Sequence, residues 1–254
     1  MLLLLDFGNT RLKYFLQGEE GISHTGELEP KTYWKQLQQL QQDYPQLREA
    51  VAADVRGLLS SSLWKKQLQL PLLLVNAAHI ALPFTTHYTS LNTLGQDRVA
   101  LLAGAQAAYP HTNLLIVDVG SCITYDLLTA QGEHKGGAIS PGIAMRYKSL
   151  HHYTGKLPQL DYQDLSSFLG TSTETALHAG VVGGVIAEIE AHIEQTEQIC
   201  SNLTVILAGG DAQKLSKKIK KAIFAHPNLL AHGLYKLWKL NSTTWSKTPL
   251  GSFF

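Results

Sequence analysis

Two short strings constrain this chain more than anything else in it. MLLLLDFGNTRLKYFL runs from an apolar segment through Asp6-Phe7-Gly8-Asn9 into a second apolar segment, and NLLIVDVGSCITYDLL repeats the pattern through Asp118-Val119-Gly120-Ser121, 112 residues later. Each reads as strand, tight turn, strand, with glycine and small polar residues supplying the turn. A single Asp-x-Gly is far more often just a hairpin turn. Two of them, opening two halves of similar length, point to a duplicated α/β fold with a boundary near residue 113.

Between and after these hairpins the sequence alternates strand and helix signals. A Gln-rich stretch at 31 to 47 spaces Trp34, Leu37, Leu40 and Leu47 as a surface helix does. A strand is expected over 50 to 54, a helix through Trp64 and a buried strand at 71 to 76. HYTSLNTLGQDR (87 to 98) is polar and turn-rich, and it empties into an Ala-rich helix predicted from Val99 to Tyr109, a plausible setting for a ligand. In the second half, GGAISPG reads as a Gly-rich turn. A long helix over 172 to 200 carries Ala176, Val181, Val185, Ile189 and Ile193, with Gly180, Gly183 and Gly184 permitting close packing. LTVILAGGDAQKL then reads as strand, double-glycine turn and helix, GLYKLWKL as a last helix, and the tail from Asn241 as aperiodic and partly disordered.

Composition closes off several functions. Of 254 residues only 16% are charged, against roughly 25% in an average soluble domain, while 44% are hydrophobic, so disorder is excluded. Twenty-one basic residues against twenty acidic ones leave no net field to draw in nucleic acid or anionic membrane. Small molecules or other protein chains are the expected partners. The initial apolar run ends at Asp6 without a basic flank, which makes it a strand and not an export signal. No later stretch approaches the roughly 18 uninterrupted apolar residues of a membrane span. Cys122 and Cys200 form no C-x-x-C or disulfide pattern, which fits a reducing cytoplasm.

The chemistry suggested by the hairpins is phosphate binding. Glycine lets backbone approach a phosphate, turn N–H groups and hydroxyls donate to it, and an Asp at a strand end can hold a cation. Neither a Walker A motif nor a dinucleotide glycine fingerprint is present. Two Asp-x-Gly turns plus Ala208-Gly209-Gly210, in this order, are poorly explained as turns alone.

DFGNTRLK, GQDR, DVGSCITYD, GGAISPG, GTSTETA and LAGGDA occur in the order seen in type III pantothenate kinases, and the resemblance spans nearly the whole chain. It implies an α/β fold of two ribonuclease H-like (actin-like ATPase) domains with a nucleotide cleft between them. The first, 1 to 112, would carry the first phosphate loop and the GQDR substrate loop; the second, 113 to 254, the second phosphate loop and an adenosine-side LAGG motif. Carried over by position, Asp6, Phe7, Gly8, Asn9, Thr10, Arg11, Leu12 and Lys13 form the first ATP loop, with Asp6 near Mg2+. Ser121 is a further ATP contact, standing where the family has Thr, and Cys122 replaces a small residue. Asp118 corresponds to the ligand of a monovalent cation, K+ or NH4+. Tyr88, Gly95, Gln96, Asp97, Arg98 and Thr173 surround pantothenate, with Asp97 accepting the proton of its primary hydroxyl and Arg98 pairing with its carboxylate.

The implied activity is ATP-dependent conversion of pantothenate to 4'-phosphopantothenate by a cytoplasmic homodimer that engages neither nucleic acid nor membrane. The alternative is a non-catalytic transcription accessory factor on the same scaffold. Against that, such a factor has little reason to keep both Asp97 and Asp118. A sugar kinase of the same superfamily is disfavoured by GQDR together with Tyr88. Three other features have plainer explanations. Cys122 reads as a small buried strand residue, and the His151-His152 and Glu188/His192 pairs as surface or helix-pair residues. KLSKKIKK (214 to 221) reads as a solvated amphipathic helix with Leu215, Ile219 and Ile223 as its apolar stripe.

Overall fold

A computed structural model describes residues 1–68, 70–215, 218–219, 221–224 and 228–245. The chain divides into two units, Met1–Pro110 with the segment from Asn228 onward, and His111–Pro227.

The sheet of the first unit contains β1 (Leu2–Phe7), β2 (Leu12–Gln17), β3 (Ile22–Leu28), β4 (Glu49–Asp54) and β5 (Leu72–Leu74) in the order β3-β2-β1-β4-β5. β1 is antiparallel to β2 and parallel to β4. It is apolar on both faces because both are covered. Leu3, Leu5 and Phe7 pack with Leu37 and Leu40 of α1 (Tyr33–Asp43) and Trp64 of α2 (Ser61–Gln67). Alternation turns Leu2, Leu4 and Asp6 to the opposite face. A two-residue strand, β6 (Thr85–Thr86), precedes α3 (Gln96–Ala108).

In the second unit β7 (Asn113–Val119), β8 (Cys122–Leu128), β9 (Glu133–Pro141), β10 (Leu203–Ala208) and β11 (Ala222–Phe224) follow the order β9-β8-β7-β10-β11. β7 is antiparallel to β8 and parallel to β10. This is the first unit's order with the same strand directions, so the duplication visible in two hairpins extends to five strands.

GGAISPG is not a turn: its residues 136–141 lie within β9, paired to β8 from Cys122↔Pro141 to Leu128↔His134, and Gly142 is the N-cap of the next helix. Its glycines mark a strand irregularity, Gly136 having a φ of +109° where the register shifts. After α4 (Ile143–His152), α5 (Thr173–His178) passes through a wide turn, Ala179–Gly183, into α6 (Gly184–Ile199). The combined helix is long and apolar enough to cross a membrane by length and composition. Its stripe of Val181, Val185, Ile189 and Ile193, however, packs on Val117 and Val119 in the second core. Of its three glycines only Gly183 is tightly faced, by the Phe168 ring; a Cβ on Gly180 would meet nothing within 4 Å.

The amphipathic helix expected over 214 to 221 is not formed as such. Among the described residues helix is seen only over α7 (Ala212–Leu215), Lys218 and Ile219 are not helical, Leu215 and Ile219 are buried, and Ile223 belongs to β11. Residues 216, 217 and 220 of that stretch lie outside the described residues. The last helix, α8 (Leu229–Trp245), was expected with the second half but lies in the first unit. Gly104 of α3 and Gly233 of α8 allow backbone contact there, since a Cβ on either would collide with a carbonyl of the other helix. Asn241 fastens α8 by accepting from the Ala81 N–H and donating to the Ala81 carbonyl. α8 thus runs through the start of the segment expected to be aperiodic; 246–254 lie outside the described residues.

Candidate active site

The β1–β2 turn, residues 8–11, follows Asp6, which pairs across the sheet with Lys13 and alongside Ala53. Not all of the expected ATP loop faces outward. Phe7 and Leu12 are core side chains, Phe7 meeting Tyr33 edge-on, and Arg11 is ion-paired with Glu27 at 3.1 Å. Asn9, Thr10 and Arg11 are exposed and Gly8 half-buried, so these four form the accessible part of the turn, whereas Phe7 and Leu12 can offer a phosphate only backbone groups. Burial pushes the Asp6 carboxyl up to about 6; Lys13 pulls it down and the charge of Asp97 adds to the rise.

Asp97 reaches this neighbourhood because α3 starts three residues earlier than periodicity suggests. Gly95 is its N-cap, and Gln96, Asp97 and Arg98 are its first turn, not a preceding loop. The Gln96 side chain accepts from the Asp54 N–H at 2.7 Å, tying the start of α3 to the end of β4, beside β1. Asp97 accepts from the Arg98 N–H at 2.8 Å, and the N-terminal helix position favours its negative charge. A Cβ on Gly95 would come within 2.6 Å of the Asp97 carboxylate, so glycine leaves that side chain room. Arg98 is buried, with its guanidinium 5.4 Å from the centre of the half-buried Tyr88 ring. Asp54, which the sequence reading did not single out, is a buried carboxylate accepting from the N–H groups of Arg56 and Leu59, a structural role.

In the second unit Asp118 ends β7 between Thr124 of β8 and Ala208 of β10. Three glycine-bearing segments converge there. Gly209, at φ +94°, lies against the Val119 carbonyl, and a Cβ on it would sit 2.5 Å from Asp118 Oδ1. Gly142 donates to the Ser121 carbonyl, and its own Cβ would collide with the backbone of Gly120 and Ser121. The Asp211 N–H donates to the Val119 carbonyl at 2.9 Å. Cys122 is partly buried at the start of β8.

Thr173 is the exposed first residue of α5, behind a reciprocal cap in which Ser172 accepts from the Thr175 N–H and Thr175 accepts from the Ser172 N–H. Buried His178, at the other end of α5, hydrogen-bonds Tyr147 at 2.6 Å. The structure gives the Glu188/His192 pair a shared partner: Glu188 accepts from the Tyr125 hydroxyl, and His192 stacks on the Tyr125 ring at 3.9 Å.

The family model for type III pantothenate kinase matches residues 2–195. The chain is 37% identical over 248 residues to the type III pantothenate kinase of Christiangramia forsetii, covering 96% of this chain and 100% of that protein. Among solved structures it resembles a Campylobacter jejuni protein named for the Baf family of transcriptional activators, with a TM-score of 0.64 and 23% identity over 95% of this chain and 99% of that one. It also resembles the activator of 2-hydroxyisocaproyl-CoA dehydratase from Clostridium difficile, with a TM-score of 0.56 and 13% identity over 97% of this chain and 98% of that one. At these identities the structural likenesses show fold, here that of actin-like ATPases built from two ribonuclease H-like domains. On the family match and the full-length relatives, the chain belongs to the type III pantothenate kinase family and is an enzyme that phosphorylates pantothenate in coenzyme A biosynthesis.

Proposed function

We propose that Asp97 is the group that receives the proton when the primary hydroxyl of pantothenate attacks the γ-phosphorus of ATP. A new O–P bond forms as the bond to the ADP oxygen breaks, and the products are 4'-phosphopantothenate and ADP. The observation that carries this reading is the placement of Asp97 in the first turn of α3, electrostatically coupled to Asp6. In a loose phosphoryl-transfer transition state the alcohol need not be deprotonated early, so an ordinary carboxylate can orient it and take its proton late. Arg98 pairs with the pantothenate carboxylate, and Tyr88, which already flanks Arg98, adds a second contact in the same unit. Gly95 and Gln96 shape this start of α3, and Thr173 offers its hydroxyl to the same substrate.

ATP is held by the turn from Asp6 to Lys13 and, in the second unit, by Ser121, with LAGG on the adenosine side. Kinases of this fold use ATP with a divalent metal. Mg2+ fits Asp6: a carboxyl raised by burial and by Asp97 regains its charge beside a cation, and Mg2+ commonly takes only one or two carboxylates plus phosphate oxygens. Asp118 fits K+ or NH4+, because Gly209 keeps space clear beside Oδ1 that any Cβ would fill. When bound, these cations neutralise charge on the phosphates. We further place the enzyme as a cytoplasmic homodimer that engages neither nucleic acid nor membrane, in keeping with its nearly balanced charge. The accessory-factor alternative is not favoured, since a scaffold freed from catalysis has no structural use for two mutually repelling carboxylates.

The test is ADP release with ATP, Mg2+ and K+ or NH4+, with and without pantothenate. Turnover should depend on pantothenate, and Asp97→Asn should lower it by about 10²- to 10⁴-fold while nucleotide binding persists. Near-normal turnover in that variant removes Asp97 from this role.

A further inference from the structure

Outside the residues already assigned, one side-chain cluster connects directly to a phosphate turn. Glu188 on α6 gathers three donors: Tyr125 of β8 at 2.8 Å and Ser140 of β9 at 2.5 Å on Oε1, and Arg146 of α4 at 2.5 Å on Oε2. Arg146 also donates through Nε to the Pro141 carbonyl at 2.8 Å. Four elements thus meet at one carboxylate. Burial alone would raise the Glu188 carboxyl, but the bonds from Arg146, Ser140 and Tyr125 outweigh it and hold the group below its ordinary value.

The residue after Pro141 is Gly142, whose backbone lies directly on Gly120 and Ser121 and donates to the Ser121 carbonyl at 3.2 Å. Gly142 is also the N-cap of α4, and its carbonyl accepts from the Arg146 N–H. A displacement of the β9–α4 junction therefore moves the surface against which the Ser121 turn rests. Core packing holds this junction on one side only, through buried Ile143, while Ile139 and Pro141 of β9 and Ala144 and Met145 of α4 are exposed, so the bonds to Glu188 and Arg146 hold the other side.

We infer that Glu188, acting through Arg146 and Ser140, is a positioning residue for the second phosphate turn, setting the Ser121 hydroxyl and neighbouring N–H groups for ATP. The inference rests on the proposed nucleotide role of Ser121. Glu188→Gln keeps the shape and one acceptor oxygen but removes the charge that draws Arg146 and Ser140 together. It should raise KM for ATP about fivefold, with kcat and KM for pantothenate changed less than about twofold. Amide hydrogen exchange should accelerate in peptides covering 118–124 and 140–146, and not in those covering 2–17. Glu188→Asp, which restores the charge on a shorter stem, should recover part of the loss. Ile193→Val, a truncation in the same helix away from the cluster, is the control for simple destabilisation and should leave KM for ATP unchanged.

Unchanged exchange at 118–124 in Glu188→Gln overturns the positioning role whatever the kinetics show. So does an equal rise in KM for ATP in Ile193→Val. Accelerated exchange with unchanged KM for ATP in both Glu188→Gln and Ser121→Ala instead removes the nucleotide role of the turn. A Glu188→Gln variant that fails to fold shifts the comparison to Arg146→Lys, which keeps the charge but cannot reach both Glu188 and the Pro141 carbonyl; normal exchange and KM there also overturn the inference.

Discussion

The two Asp-x-Gly hairpins occupy equivalent places in equivalent sheets, yet their carboxylates are supported differently. Asp6 faces a lysine across its hairpin, at the Asp6↔Lys13 pair, and Asp118 faces a threonine, at Asp118↔Thr124. The parallel neighbours diverge as well. Asp6 and Asp118 both lie beside an alanine, but the next residue is Asp54 in the first unit and Gly209 in the second. Asp54 turns back to bind the N–H groups of Arg56 and Leu59, closing its own loop. Gly209 gives up a side chain and leaves space at Asp118 Oδ1. Duplication supplied the strand-turn-strand frame, and the residue one step beyond each parallel neighbour sets how much space is left beside its carboxylate.

The sharpest test of this difference is Asp6→Asn. If Asp6 serves a metal-bound phosphate, turnover should fall by about 10²- to 10³-fold. Stability should move the other way. With a carboxyl raised from 3.8 to about 6, the folded chain binds a proton that the unfolded chain has already released between those values, so stability falls as pH rises through that window. The cost is complete above the folded value and amounts to about 3 kcal/mol. Asp6→Asn should therefore gain on the parent from pH 4 to pH 7 in denaturant unfolding without nucleotide. A constant difference across that range breaks the contrast between the hairpins at its first term.

Gly209→Ala probes the other support. The new methyl group must enter a left-handed backbone position and strike the Val119 carbonyl and the Asp118 carboxylate, a cost of about 2 to 3 kcal/mol. Thermal unfolding measures it. Gly8→Ala in the first hairpin meets the Arg11 carbonyl at 3.3 Å and Asp6 Oδ1 only at an ordinary 3.9 Å, and should cost about 1 kcal/mol or less. Equal losses would mean that the two turns are equally crowded and that Gly209 is not specially required.

Asp118→Asn comes next. With the charge gone but the shape kept, stimulation by K+ over Na+ should drop by about fivefold while basal turnover changes little, the loss of one partly screened charge contact being worth about 1 kcal/mol. Steady-state rates in the two salts give the ratio, and a ratio equal to the parent's takes Asp118 out of cation binding.

The hairpins were legible in the sequence because turn chemistry and apolar runs are local. The start of α3 was not: its N-cap is Gly95, which offers no side-chain cap to read, so the helix was expected only where the apolar residues begin, at Val99. GGAISPG looked like a turn because glycine and proline mark turns in general, whereas here pairing to β8 across its length overrides local preference. α8 could not be assigned to its unit, because Gly104 and Gly233 meet only in three dimensions. The role of Glu188 is hidden for the same reason: its i,i+4 spacing to His192 points to a helix pair, while its actual partners come from β8, β9 and α4.

The smallest effect belongs to Ser121, one of the two residues, with Cys122, at which the resemblance sets this chain apart from its family's pattern. Serine has the hydroxyl of threonine without its methyl, and the backbone of Gly120 and Ser121 is packed by Gly142, which donates to the Ser121 carbonyl. Ser121→Thr adds its methyl to the side chain and leaves that backbone contact intact. The β-branch narrows the hydroxyl rotamers, which lowers the ordering cost of a donor without creating a new bond. KM for ATP should therefore fall by no more than about threefold, with kcat unchanged. A larger fall would show that rotamer freedom at Ser121 limits nucleotide binding more than the backbone placement set by Gly142. A rise would show that the turn has closed around serine and no longer admits the methyl, making the second hairpin the more specialised of the two.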